Sequence, residues 1–178
     1  MKRYLVCIFI FLFSCISLSS HFELDFYGVS YHLIGKGYQY APRKIDDGAA
    51  WIFNPGLGLT YDFRKNVYDE GFSPLLIAGY FHDCDDRAFV FGGAGGRYRH
   101  EFFDSFLFDI NFAIIYASGQ DWATGDYNGY FMPILNVGVG TSFLNRLWSY
   151  RIAYIPENTG ITATSGGDLL FMNISIQL

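Results

Sequence analysis

The chain has 178 residues, of which 51% are hydrophobic, 20% aromatic and only 16% charged, with 19 Phe, 14 Tyr and 20 Gly. That length suits one domain, and so apolar a composition excludes a disordered polar chain. The formal charge of −5 lacks the basic footprint of a nucleic-acid binder, so no nucleic-acid partner is expected.

Residues 1–20 read as a signal peptide. Lys2 and Arg3 form a basic start, residues 4–13 a short apolar run, and Ser17-Leu18-Ser19 offers small residues before a cut after Ser19 or Ser20. The run is too short for a spanning helix. A rival lipoprotein site ending at Cys15 fits poorly with Phe13 and Ser14 before it. Removal leaves 10 basic against 17 acidic residues, a charge of −7, and Cys84 as the remaining thiol. A lone thiol cannot support a disulfide framework, so Cys84 is either a buried bystander or a reactive group.

Residues 21–178 read as a single domain. No later segment approaches twenty uninterrupted apolar residues, and helical periodicity is scarce. Alternation with period two takes its place. Eight strands are predicted near 24–33, 56–64, 74–82, 88–98, 106–117, 131–141, 147–155 and 169–178. In 57–63, Leu57, Leu59, Tyr61 and Phe63 share one face, with Gly58, Thr60 and Asp62 opposite. Residues 148–154, 108–114 and 170–178 repeat the pattern.

One face of each strand is greasy and rich in aromatics, and aromatics gather at strand ends as in membrane girdles. The expectation is an all-β fold, an eight-stranded antiparallel transmembrane barrel of the outer membrane of a diderm bacterium. With the N-terminus in the periplasm, the periplasmic turns are 64–73, 99–105 and 142–146. The outer loops are 34–55, 83–87, 118–129 and 156–168.

Strand polarity gives each inward residue a height. Near the outer end lie Gly28, Ser30, Gly58, Ala113, Ile115, Ile134, Ala153, Ile155, Leu169 and Phe171, mostly small or apolar. Nearer the periplasm lie Asp62, Asp109, Asn111, Asn173, Ser175 and Gln177. An eight-stranded lumen is either filled by side chains or holds one slim ligand. Arg97 and Arg99 lie towards a periplasmic turn and read as solvating it. Asp121, Trp122, Asp126 and Tyr127 fall in an outer loop.

His32 ends the first strand with inward parity, and Asp83 and Cys84 follow the third. These strands point the same way, so the three converge on the outer rim. An imidazole, a carboxylate and a thiol at one rim form a candidate acyl-transfer set, against the plainer reading of a polar, solvated rim.

Four local features carry a resemblance. They are Ser30-Tyr31-His32; Asn54-Pro55-Gly56-Leu57-Gly58; Phe81-His82-Asp83-Cys84; and Met132-Pro133 through Gly138-Val139-Gly140 followed by Tyr154-Ile155-Pro156. In order and spacing the chain resembles the outer-membrane lipid A palmitoyltransferases, the PagP family. The resemblance implies transfer of a palmitoyl chain from a phospholipid donor to a lipid A acceptor by a monomer with no cofactor or metal. It puts the catalytic residues at His32, Asp83 and Cys84. It puts the acyl-pocket floor at Gly95, within the run 92–96, and lateral lipid access at Pro133 and Pro156. A thiol where the family has serine, the missing N-terminal amphipathic helix and the long first loop all depart from that pattern.

Two rivals stand beside this reading. A lipid A deacylase would show a His-x-Ser step, which the sequence lacks. A non-enzymatic structural or adhesive barrel needs neither a rim histidine nor a lumen well.

Overall fold

The structure is a computed structural model and describes residues 21–32, 50–82, 88–103, 106–120, 127–144, 146–156 and 169–178. The expected signal peptide lies outside them. Eight strands form: β1 (Phe22–His32), β2 (Ala50–Asp62), β3 (Gly71–His82), β4 (Ala88–Phe103), β5 (Phe106–Gln120), β6 (Tyr127–Phe143), β7 (Arg146–Ile155) and β8 (Leu169–Gln177). Each pairs antiparallel with the next, and β1 pairs with β8 to close a barrel. Closure matters physically, since a spanning sheet must leave no backbone edge facing hydrocarbon.

The alternation dictates what faces lipid. Phe72, Phe112, Ile114, Phe131 and Tyr150 point outward and are exposed, while Glu23, Asp25, Arg97, Arg99, Asp109 and Arg151 are buried inside. A water-soluble protein would reverse this. The chain is an outer-membrane barrel, oily outside and polar within.

The strands run further than the sequence suggests. β2 begins at Ala50, inside the predicted loop 34–55, and β4 continues to Phe103, through most of the predicted turn 99–105. At one end, 8, 2 and 2 residues separate successive strands; at the other, 17, 5, 6 and 13 do. The longer connections mark the outer end.

β1 carries an irregularity that the alternation hides. Tyr27 faces Asn173 of β8, yet Val29 faces Met172, so Gly28 is an extra residue. Such a bulge shifts parity by one. Glu23 and Asp25 therefore point inward below it, and Ser30 points inward above it. Inside, aromatic rings occupy the spaces left by glycines. A Cβ on Gly58 would fall 2.8 Å from the Tyr27 hydroxyl, and one on Gly79 would fall 2.5 Å from Phe91 Cζ.

Candidate functional site

The lumen has two halves. The outer half is an apolar plug that includes Phe81, Phe89, Phe91, Ile115, Met132 and Phe171, all under 9% exposed. Phe81 stacks on Phe89 with centroids 5.4 Å apart and meets Phe171 edge-on at 5.5 Å. The inward grading towards small and apolar residues at this end is thus present, with bulky rings completing it.

The inner half is a buried ionic lattice. Arg97 Nη2 donates to Glu23 Oε2 at 2.9 Å, its Nη1 reaches Glu23 Oε1 and Asp62 Oδ2, and its Nε donates to Asn111 Oδ1 at 2.7 Å. Arg99 grips Asp109 with Nε at 2.6 Å and Nη2 at 3.0 Å, and donates to the Val67 carbonyl. Arg151 lies 2.9 Å from Glu23 Oε2 and donates to Asp109 Oδ2 at 3.1 Å and Ser175 Oγ at 2.6 Å. Thr60 Oγ1 donates to Asp25 Oδ2 at 2.7 Å, and the Ser175 hydroxyl donates to the other oxygen of Asp25. Arg64 caps the inner end through Asp62. Burial draws the Arg64 pKa down, and the Asp62 carboxylate opposes that effect.

Among the described buried residues, Arg64, Arg97, Arg99 and Arg151 balance Glu23, Asp25, Asp62 and Asp109. Burying charge is costly unless each ion is paired and hydrogen-bonded, and here the partners are supplied across the barrel. The reading of Arg97 and Arg99 as turn-solvating residues is corrected: both are 1% exposed or less. β4 extends beyond them, so they sit inside the wall. Arginines at inward parity, alternating with outward Tyr98, were the available signal.

Within the apolar half lies a cavity of about 50 Å³, lined by plug residues such as Phe81, Met132 and Phe171, that reaches down to the ionic half. Its walls include Tyr27, Leu75, Phe91 and Ile115, and its polar boundary includes Arg151 and Asn173. Gly95 of β4 faces Leu75 and Ala113. A Cβ there would fall 2.0 Å from the Phe112 carbonyl oxygen, so Gly95 serves close contact of β4 with β5.

The proposed catalytic set is only partly described. His32 closes β1, opposite Ala50 and Leu169. Its side chain, and the whole of Asp83 and Cys84, lie outside the described residues. So do Asp121, Trp122 and Asp126, and the side chain of Tyr127.

The prolines have a definite geometry. The β6–β7 ladder runs from Phe143↔Arg146 to Leu135↔Tyr154 and stops there. Continued by two residues, the same register sets Pro133 against Pro156. Neither proline has an N–H to donate to a ladder. On its other side, Pro133 faces Ile114 in a β5–β6 ladder that continues to Gln120↔Tyr127.

No protein-family model and no curated protein matches the chain. Solved structures do. The N-terminal β-barrel domain of Pseudomonas aeruginosa OprF superposes with a TM-score of 0.53 at 10% identity, covering 89% of this chain and 97% of that one. Neisserial surface protein A (NspA) gives 0.49 at 14% identity over 90% and 98%, and Ail of Yersinia pestis gives 0.43 at 8% over 88% and 95%. The likeness to OprF is one of fold. This barrel shares its architecture, while its lumen chemistry has to be read from its own residues.

Proposed function

We propose that the chain is a non-enzymatic outer-membrane barrel, a sealed scaffold that presents its long outer connections at the cell surface in a structural or adhesive role. The filled lumen carries this reading. A cavity of about 50 Å³ is far below the roughly 300–1,000 Å³ of a small-molecule site. Buried aromatic rings and a charge-balanced ionic lattice project into the lumen around and below it.

A second reading, lipid A acyl transfer, draws on one observation: the β6–β7 ladder stops at Leu135↔Tyr154, two residues short of Pro133 and Pro156, beside the apolar outer lumen. In that reading a phospholipid tail enters sideways there; His32, oriented by Asp83 and assisted by Cys84, takes the proton of the acceptor hydroxyl as its oxygen attacks the phospholipid ester carbonyl, and returns that proton to the departing lysophospholipid oxygen.

Mass spectrometry of lipid A separates the two. Cells carrying the chain, its His32→Ala form or an empty vector are compared. The scaffold reading expects three identical profiles. One added acyl chain, present with the unaltered protein and lost with His32→Ala, would overturn it in favour of transfer. One lost chain would overturn it in favour of a deacylase.

A further inference from the structure

Arg151 and Asn173 face each other across β7 and β8. Both side chains point inward, at 2% and 6% exposure, and both line the mid-lumen cavity. Each carries one atom, Arg151 Nε and Asn173 Oδ1, without a hydrogen-bond partner among the described residues. A buried donor and a buried acceptor left unpaired each forfeit the hydration they gave up on folding. Here they occur on directly opposed residues beside the same void.

We infer that this cavity is a hydration site, in which a water molecule accepts from Arg151 Nε and donates to Asn173 Oδ1. The size fits, since a cavity of about 50 Å³ exceeds the roughly 10–15 Å³ that one water needs. A few waters can therefore occupy it, and Asn111 and Asn136 on the same boundary offer further partners.

The chemistry selects a neutral guest. An anion would meet the Asn173 oxygen and the Asp25 carboxylate, while a cation would meet Arg97 and Arg151. Only a molecule that both accepts and donates satisfies the pair. The Tyr27 and Phe91 side confines it to one wall. Beyond its scaffold role, the barrel then holds internal water at the seam between its apolar and ionic halves.

A high-resolution crystal structure of the refolded full chain tests this directly. The expected result is ordered density within hydrogen-bond distance of both Arg151 Nε and Asn173 Oδ1. A dry cavity, or side chains closed directly onto Arg151 Nε, would overturn it. Urea unfolding of variants adds a second readout. In a hydrated site, Asn173→Leu displaces the water and strands Arg151 Nε, so the midpoint falls, while Asn173→Ser stays near the unaltered chain. In a dry site, Asn173→Leu removes an unpaired acceptor and fills a void, so an unchanged or raised midpoint would overturn the inference. If neither variant refolds, the crystal structure of the unaltered chain decides.

Discussion

Arg97 and Glu23, 74 residues apart, meet inside the barrel in a two-pronged ion pair that ties β4 to β1 across the lumen. Glu23 also faces Arg99 at 3.5 Å and Arg151 at 2.9 Å, so one carboxylate serves three guanidiniums.

Glu23→Gln should therefore be severe. It leaves buried cations short of one counter-charge, a change worth about 3–5 kcal/mol. Thr60→Val, which removes only the hydroxyl donated to Asp25 at 2.7 Å, should cost about 1 kcal/mol. Urea titrations of refolded protein in micelles should rank the two in that order.

Two glycines should respond differently. A methyl on Gly95 would sit 2.0 Å from the Phe112 carbonyl oxygen, whereas nothing lies within 4 Å of one on Gly28. Gly95→Ala should lose about 1–3 kcal/mol through overpacking. Gly28→Ala should stay within about 0.5 kcal/mol of the unaltered chain. The same unfolding assay compares them.

The outward face predicts a depth-dependent penalty. Ile114, 53% exposed near the middle of β5, faces hydrocarbon. Ile114→Arg should cost about 2–4 kcal/mol, and Phe103→Arg at the strand end about 0–1 kcal/mol. Folding yields into bilayers, read from the heat-dependent gel shift of folded barrels, would check the contrast.

Leu144 adopts φ 53° in the short turn between β6 and β7. That left-handed conformation costs an L-residue roughly 1–2 kcal/mol and costs glycine little. Leu144→Gly should therefore raise the urea midpoint modestly.

Much of this architecture is legible in the sequence because lipid and lumen impose a strict period of two. Phe112 and Ile114 outward, with Asn111 and Ala113 inward, follow from alternation alone. So does the division of the lumen into an apolar outer half and a polar inner half. The ionic lattice is not legible in the same way. Gly28 resets the parity of β1, so counting back from His32 turns Glu23 and Asp25 the wrong way. Arg97 and Arg99 read as turn residues in the sequence because β4 outruns its alternating stretch and continues to Phe103. Their partners sit on strands far away in the sequence, and pairing across a closed barrel depends on register. The rim set is the converse case. His32, Asp83 and Cys84 are conspicuous as residue types, but the described geometry reaches only the backbone of His32.

A scaffold barrel of this kind is sealed by its own side chains. Planar-bilayer recording of the purified, refolded chain tests it most directly. The unaltered protein should carry no steady ohmic current, since buried aromatic rings and paired ions project into both halves of the lumen. Stable open steps scaling with salt concentration would contradict it.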